Sequence, residues 1–108
     1  VPAPATGITH AYYRQYAYVR PDGLKDGWDR DRIVAEANEL GLPLLHGTCS
    51  EVYLEKAFDG TGWRPVDRLP VVKELGETSL MLLVHPTLTD AEINKTCDVL
   101  VEVMREAC

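Results

Sequence analysis

Apolar side chains are grouped along the chain in two patterns, short continuous runs typical of strands and 3.6-residue spacings typical of helices. Residues 10–20 are aromatic and partly alternating and end at Pro21, so they predict a first strand. Two further apolar runs, 42–46 and 79–85, predict a second and a third strand. Because the third run is continuously apolar, it predicts a central strand that is covered on both faces.

The first and the last predicted helix carry clear signals at their ends. Asp29 is a good N-cap for the first helix, and Gly41 is a C-cap glycine at its end. In the last helix, Thr89 and Glu92 have the spacing of a capping box. An apolar stripe with helical spacing follows and predicts the buried face of this helix. It consists of Ile93, Cys97, Leu100, Val101 and Met104.

Two short helices are predicted between the second and the third strand. Thr48 and Glu51 have capping-box spacing and open the first of them. The second covers about 69–75, begins near Pro70 and ends at Gly76. The predicted order is therefore β-α-β-α-α-β-α, which indicates an α+β domain in which a small β-sheet is packed by helices.

Composition and charge limit the classes of function. The chain has 108 residues, of which 45% are apolar and 26% charged, so it predicts one folded domain and not a disordered segment. A net charge of −6 disfavours nucleic acid and anionic membranes as partners. No apolar run approaches the roughly 20 residues that cross a bilayer, and no signal peptide is evident. We expect residues 1–9 to be a linker or a join and 10–108 to be the domain.

Cysteine and histidine are too sparse to predict a metal site or a catalytic set. Three cysteines without a close pair favour a reducing, cytoplasmic environment. His46 and Cys49 could supply two metal ligands or a Cys/His nucleophilic pair, but a metal would also need the distant His10 or His85. The four lysines lie in a turn or on polar parts of helices and predict no Schiff-base residue: Lys25, Lys56, Lys73 and Lys95.

Three segments in order along the chain, 41–58, 68–79 and 80–89, carry a resemblance to a known family. Their most distinctive stretches read RLPVVKELGETSL and LVHPTLTDAEI. Together they resemble the C-terminal small domain of the pyridoxal-phosphate-dependent nucleotide-sugar aminotransferases of the DegT type. The likeness extends over 10–107, nearly the whole chain.

The resemblance implies a function for the parent protein. Such enzymes are homodimers with the fold of type I pyridoxal-phosphate aminotransferases, and they transfer an amino group, usually from glutamate, to a nucleotide-linked keto-sugar. Their products enter surface polysaccharide or lipopolysaccharide. The Schiff-base lysine and the main cofactor contacts lie in a large N-terminal domain, which is missing here. The resemblance therefore implies no catalytic or cofactor-binding residue in this chain, and we expect the isolated chain to be inactive.

The same resemblance implies a substrate-binding turn after the second strand, formed by His46, Gly47, Cys49, Ser50 and Glu51. Many members carry a His-Tyr pair there, whereas no tyrosine follows His46 in this chain. A purely structural role of His46 at the strand end remains open. Two other classes of function also remain open. One is an independent small-molecule-binding regulatory domain, for which a βαββαβ order would be typical. The other is an interaction domain that uses Trp63 and the tyrosine-rich strand.

Overall fold

The computed structural model describes residues 3–47 and 49–108. In these residues it contains three strands, three α-helices and three short 3₁₀ turns. The strands are β1 (Arg14–Tyr18), β2 (Leu45–His46) and β3 (Ser79–Leu83), and the helices are α1 (Arg30–Glu39), α2 (Pro70–Thr78) and α3 (Asp90–Ala107). The 3₁₀ turns are Pro21–Gly23, Val52–Leu54 and Lys56–Phe58. The predicted α+β class is confirmed.

The strands form one antiparallel sheet in the order β1-β3-β2. Tyr16 of β1 and Leu45 of β2 both lie opposite Met81 of β3, so the apolar third strand is central, as its sequence predicts. All three strands are shorter than the apolar runs that indicated them. β1 begins only at Arg14, and β2 consists of two residues.

One face of the sheet carries the hydrophobic core. Helix α1 packs on this face, and α3 packs on α1. The buried apolar residues are Val19, Ile33, Ala37, Leu42, Leu44, Leu80, Val99, Val103 and Ala107. On the other face Leu83 is 40% exposed, and helix α2 buries only Thr78. The prediction that β3 is covered on both faces is therefore wrong, because the helices that build the core share one side of the sheet.

Helix α3 turns a different face to the core from the one its sequence predicts. Its buried residues are Val99, Val103 and Ala107, whereas Cys97 is exposed. Of the predicted stripe, Leu100 and Met104 pack against the core, but Ile93 and Val101 are exposed. The prediction is wrong for these exposed residues. Apolar side chains occupy a wide arc around α3, and only those that face α1 become buried.

The helix ends follow the sequence closely. The side chain of Asp29 accepts a hydrogen bond from the Arg32 backbone N–H at 2.8 Å, which confirms the predicted N-cap. Gly41 follows α1 with φ +77°, a left-handed conformation that favours glycine. At α3, Thr89 Oγ1 accepts from the Glu92 N–H, and Glu92 Oε2 accepts from the Thr89 N–H at 2.8 Å. This reciprocal pair is the predicted capping box.

Loss of this cap gives a direct test of the helix boundary. Thr89→Ala is expected to lower the free energy of unfolding by about 1 kcal/mol, since it leaves an N–H of the first turn without its acceptor. Urea denaturation followed by circular dichroism measures the change. Thr89→Ser keeps the hydroxyl and is the control, expected to retain most of the stability. Equal losses in the two variants would contradict the capping role.

The region between β2 and α2 departs most from the prediction. The structure has two 3₁₀ turns where a short α-helix was predicted. Thr48, and with it the predicted capping box, lies outside the described residues. Gly76 does not end α2, because the helix continues to Thr78. A Cβ at Gly76 would meet the Ser50 hydroxyl, so Gly76 lies where the turn after β2 approaches α2.

Helix α2 passes into β3 without a connecting residue, since Thr78 ends the helix and Ser79 begins the strand. Arg30 of α1 holds this junction, as its guanidinium donates to the carbonyl oxygens of Gly76 at 2.9 Å and Ser79 at 3.0 Å. The Val19 N–H donates to the Thr78 carbonyl. The carbonyls at the end of α2 that lack helical partners therefore gain donors from other elements.

Candidate functional site

A surface pocket of about 460 Å³ lies between the turn after β2, the start of α1 and the end of α2. All five residues of the predicted substrate-binding turn are among its walls: His46, Gly47, Cys49, Ser50 and Glu51. Arg30, Arg68 and Glu77 also line the pocket. The structure thus brings the predicted residues to one pocket, and their contact with a substrate stays a prediction.

Glu51 is held by a network that its sequence environment does not reveal. Arg68 Nε donates to Glu51 Oε1 at 2.8 Å, and Arg68 Nη2 pairs with Glu51 Oε2, which gives a bidentate ion pair. The Tyr53 hydroxyl donates to Glu51 Oε1 at 2.7 Å and accepts from the Leu69 N–H. The network therefore ties the turn after β2 to the segment that enters α2.

These contacts perturb the acidity of the groups involved. Hydrogen bonds from Arg68 and then from Tyr53 lower the pKa of Glu51 to about 2, below its usual value of 4.5. The bond to Glu51 in turn raises the pKa of Arg68. For Tyr53, desolvation and then the bond to Glu51 raise the pKa. The arrangement thus keeps Glu51 ionised and suits a positioning group better than an acid or base near neutral pH.

His46 and Cys49 do not form a nucleophilic pair. His46 Nε2 lies 3.5 Å from Asp31 Oδ1 at the start of α1, with much of its side chain exposed. The Cys49 thiol donates instead to Glu55 Oε1 at 3.3 Å, and this bond raises the pKa of Cys49. Because the thiolate is the nucleophilic form, the environment of Cys49 works against covalent catalysis.

Gly47 is required at its position by the closeness of β3. Its N–H points to the Ser79 carbonyl at 3.4 Å. A Cβ at Gly47 would lie 2.6 Å from the Ser79 Cβ and closer still to the Ser79 hydroxyl. Since Ser79 is buried, only glycine fits here without a shift of the strand.

The four lysines do not fit an enclosed cofactor site, and all of them are exposed. Lys25 Nζ donates to the carbonyls of Arg105 and Glu106 at the end of α3, and Lys95 Nζ donates to the Gly41 carbonyl. An amine that binds an aldehyde cofactor needs a water-poor pocket. None of the four lysines lies in such a water-poor pocket, so we assign no step of cofactor chemistry to this chain.

Two kinds of site are absent from the described ranges, 3–47 and 49–108. No group of three or more His, Cys, Asp or Glu residues there is arranged to hold a metal ion. Among the helices of these ranges, none combines the length and the apolar character needed to span a membrane.

The pKa of Glu51 predicts a dependence of stability on pH. Because folding lowers this pKa, ionised Glu51 stabilises the fold above about pH 4.5, and this contribution is lost as pH falls from 4.5 towards 2. Glu51→Gln lacks the titrating group. We therefore expect the gap in free energy of unfolding between the native chain and this variant to be largest above pH 4.5 and to shrink below it.

Urea titrations at several pH values between 2 and 6 measure this gap. Arg68→Leu removes the main partner of Glu51 and serves as the companion variant, expected to weaken the same pH dependence. Parallel stability profiles of the native chain and Glu51→Gln throughout this range would contradict the assignment.

No family model matches the sequence, and no curated protein matches it. Among solved structures, the fold matches a small domain of an aminotransferase. That protein is the aminotransferase from Psychrobacter cryohalolentis, with a TM-score of 0.87 and 60% sequence identity. The match covers 90% of this chain but 25% of the other, so this chain spans about a quarter of the length of that enzyme.

Proposed function

We propose that this chain is the C-terminal small domain of a pyridoxal-phosphate-dependent aminotransferase of the DegT type. The observation that carries the proposal is the similarity to the Psychrobacter aminotransferase, which extends over most of this chain in both sequence and fold. The match covers only 25% of that enzyme. A parent protein of similar length would therefore have most of its residues outside this chain. Residues 10–108 would form the domain, with 1–9 as the linker to the rest.

The parent enzyme would transfer an amino group from glutamate to a nucleotide-linked keto-sugar for surface polysaccharide or lipopolysaccharide, as a cytoplasmic homodimer. The sequence resemblance supports this substrate class, and the pocket agrees with it. A polyhydroxylated ligand needs several hydrogen-bonding groups that converge on a concave surface. The pocket offers the exposed imidazole of His46, the hydroxyl of Ser50 and neighbouring charged groups.

The residues of the pocket would have different tasks. His46 has much of its side chain exposed and is the strongest candidate for direct contact with the sugar nucleotide. Glu51 already accepts hydrogen bonds from Arg68 and Tyr53, so it would hold the turn in place. Gly47 would keep the turn close to β3. The cofactor would be bound by the missing large domain, because the lysines of this chain do not fit that role.

The alternative of an independent regulatory domain has less support. A ferredoxin-like module needs four strands in a βαββαβ order. The described residues contain three strands, and two 3₁₀ turns and a helix separate β2 from β3.

A hybrid enzyme tests the proposal. This chain replaces the matching quarter of the Psychrobacter aminotransferase, and amino transfer from glutamate to nucleotide-linked keto-sugars is measured. We expect turnover, and His46→Ala should raise KM for the sugar nucleotide roughly 3- to 10-fold, as for the loss of one hydrogen bond. The absorbance of the bound cofactor should persist, because His46 contacts the substrate and not the cofactor.

His85→Ala is the matched control, since His85 is an exposed histidine that bonds to Thr87 outside the pocket. We expect this variant to leave KM unchanged. A folded hybrid that binds the cofactor but aminates no keto-sugar nucleotide would contradict the proposed function. Equal changes in KM for the two histidine variants would contradict the role of His46.

A further inference from the structure

The imidazole of His46 has an acidic neighbour that is not itself a wall of the pocket. His46 Nε2 lies 3.5 Å from Oδ1 of Asp31, a residue in the first turn of α1. The pocket of about 460 Å³ is lined by His46 and Arg30 but not by Asp31. Asp31 therefore contacts a pocket residue without belonging to the surface that a ligand would meet.

The carboxylate of Asp31 is held in place by Arg30. Arg30 Nε donates to the same Oδ1 atom at 2.5 Å. The Arg30 side chain is only 13% exposed, whereas that of Asp31 is 67% exposed. Nη1 of Arg30 also donates to the carbonyls of Gly76 and Ser79. The position of the Asp31 carboxylate is thus set by an arginine that is anchored on the junction of α2 and β3.

A carboxylate beside one ring nitrogen of a histidine decides how the other nitrogen is presented. An acceptor at Nε2 favours the neutral tautomer that carries its proton there, and it also fixes the orientation of the ring. Nδ1 is then a hydrogen-bond acceptor. Contacts of this kind are often long before a ligand binds and shorten in the complex. The distance of 3.5 Å from His46 Nε2 to Asp31 Oδ1 agrees with such a contact.

We propose that Asp31 is a positioning residue that acts through His46. Its carboxylate holds the imidazole by Nε2, so that Nδ1 accepts a hydrogen bond from a hydroxyl group of the sugar nucleotide. The inference rests on the proposed function, since it requires a hydroxylated ligand in the pocket. An exposed contact of this kind contributes little to folding. It gains strength when a ligand covers the ring and displaces water, so its effect belongs to binding.

A double-mutant cycle in the hybrid enzyme tests this role. Asp31→Ala should raise KM for the sugar nucleotide roughly 2- to 5-fold, as for the loss of one weak contact, with kcat little changed. KM for glutamate should stay constant, because only the sugar nucleotide is proposed to contact His46. In the His46→Ala background, Asp31→Ala should have no further effect, since the group through which it acts is gone.

Glu36→Ala is the matched control for this cycle. It also removes a carboxylate from α1, one that pairs with Arg32 at 3.3 Å and does not line the pocket. We expect both KM values to stay unchanged in this variant. Asp31→Asn keeps an oxygen that can accept from Nε2 and should bring KM back towards the native value. Asp31→Ser shortens the side chain and replaces Asp31→Ala in the cycle, should that variant fail to fold.

The tautomer of His46 in the 108-residue chain gives a test that needs no amino transfer. Ring nitrogen chemical shifts, measured by NMR at about pH 9 where unperturbed imidazoles are neutral, distinguish the two tautomers. We expect the proton of His46 on Nε2, and a larger share of the Nδ1–H form in Asp31→Ala. His46→Ala assigns the signal.

Two results would overturn the positioning role. One is an increase in KM from Asp31→Ala that is the same with and without His46. The other is a proton of His46 on Nδ1 in the native chain. A hybrid that aminates no keto-sugar nucleotide contradicts the proposed function, and the tautomer still decides whether Asp31 holds the ring.

Discussion

Replacement of Ile33 by alanine is expected to lower the free energy of unfolding by about 2–5 kcal/mol. Ile33 is 0% exposed and is one of the largest fully buried side chains, together with Leu44 and Val103. Its removal deletes apolar burial and leaves a cavity between α1, the sheet and α3, which the surrounding side chains fill only in part. Domains have total stabilities of only about 5–15 kcal/mol, so this loss is a large fraction of the whole.

Ile93→Ala is the matched control, because it removes the same atoms from a side chain of α3 that is 48% exposed. We expect a change of no more than about 0.5 kcal/mol for this variant. Urea unfolding followed by the fluorescence of Trp28, which packs against the core, measures both values. Similar losses in the two variants would mean that α1 does not bury Ile33 as described.

The second large effect is expected at Gly47. Gly47→Ala places a methyl group against the buried Ser79 and should destabilise the chain by about 1–3 kcal/mol, the usual cost of overpacking. Gly23→Ala is the control, since a Cβ at Gly23 meets nothing within 4 Å and its φ is not positive. We expect this control to be neutral or slightly stabilising.

A double-mutant cycle separates the collision from other effects at Gly47. Ser79→Gly removes the side chain that the new methyl group meets, so Gly47→Ala should cost much less in that background. The expected coupling between the two sites is about 1–2 kcal/mol, in the range found for residues in contact. Additive costs of the two substitutions would show that the contact with Ser79 is not the cause.

Local signals in the sequence predicted local structure well. Asp29, Gly41 and Thr89 mark helix ends because capping is an interaction between residues a few positions apart. The central position of β3 follows from its continuous apolar run. The covered faces were predicted less well, because which side of α3 or of the sheet is buried depends on elements that are distant in sequence.

The candidate site shows the same division between local and distant information. The turn from His46 to Glu51 could be found from the sequence, and the structure places it in one pocket. Arg68 lies 17 residues from Glu51, and no spacing rule joins them across two 3₁₀ turns and a loop. The one signal in the sequence was that Arg68 stands just before Pro70, the residue that begins α2. Gly76 was misinterpreted as a helix stop because its contact with Ser50 is likewise distant.

The direct passage from α2 to β3 has a consequence for changes in chain length. A single residue inserted after Thr78 would shift β3 by one position in its pairing with β1, and side chains of the strand would exchange faces. Met81 would then point to the helices, and Leu80 to the opposite side. The exposed loop 59–67, in contrast, has no strand register to preserve. Tolerated insertions and deletions, in evolution and in engineering, should therefore fall in that loop and be absent at the junction.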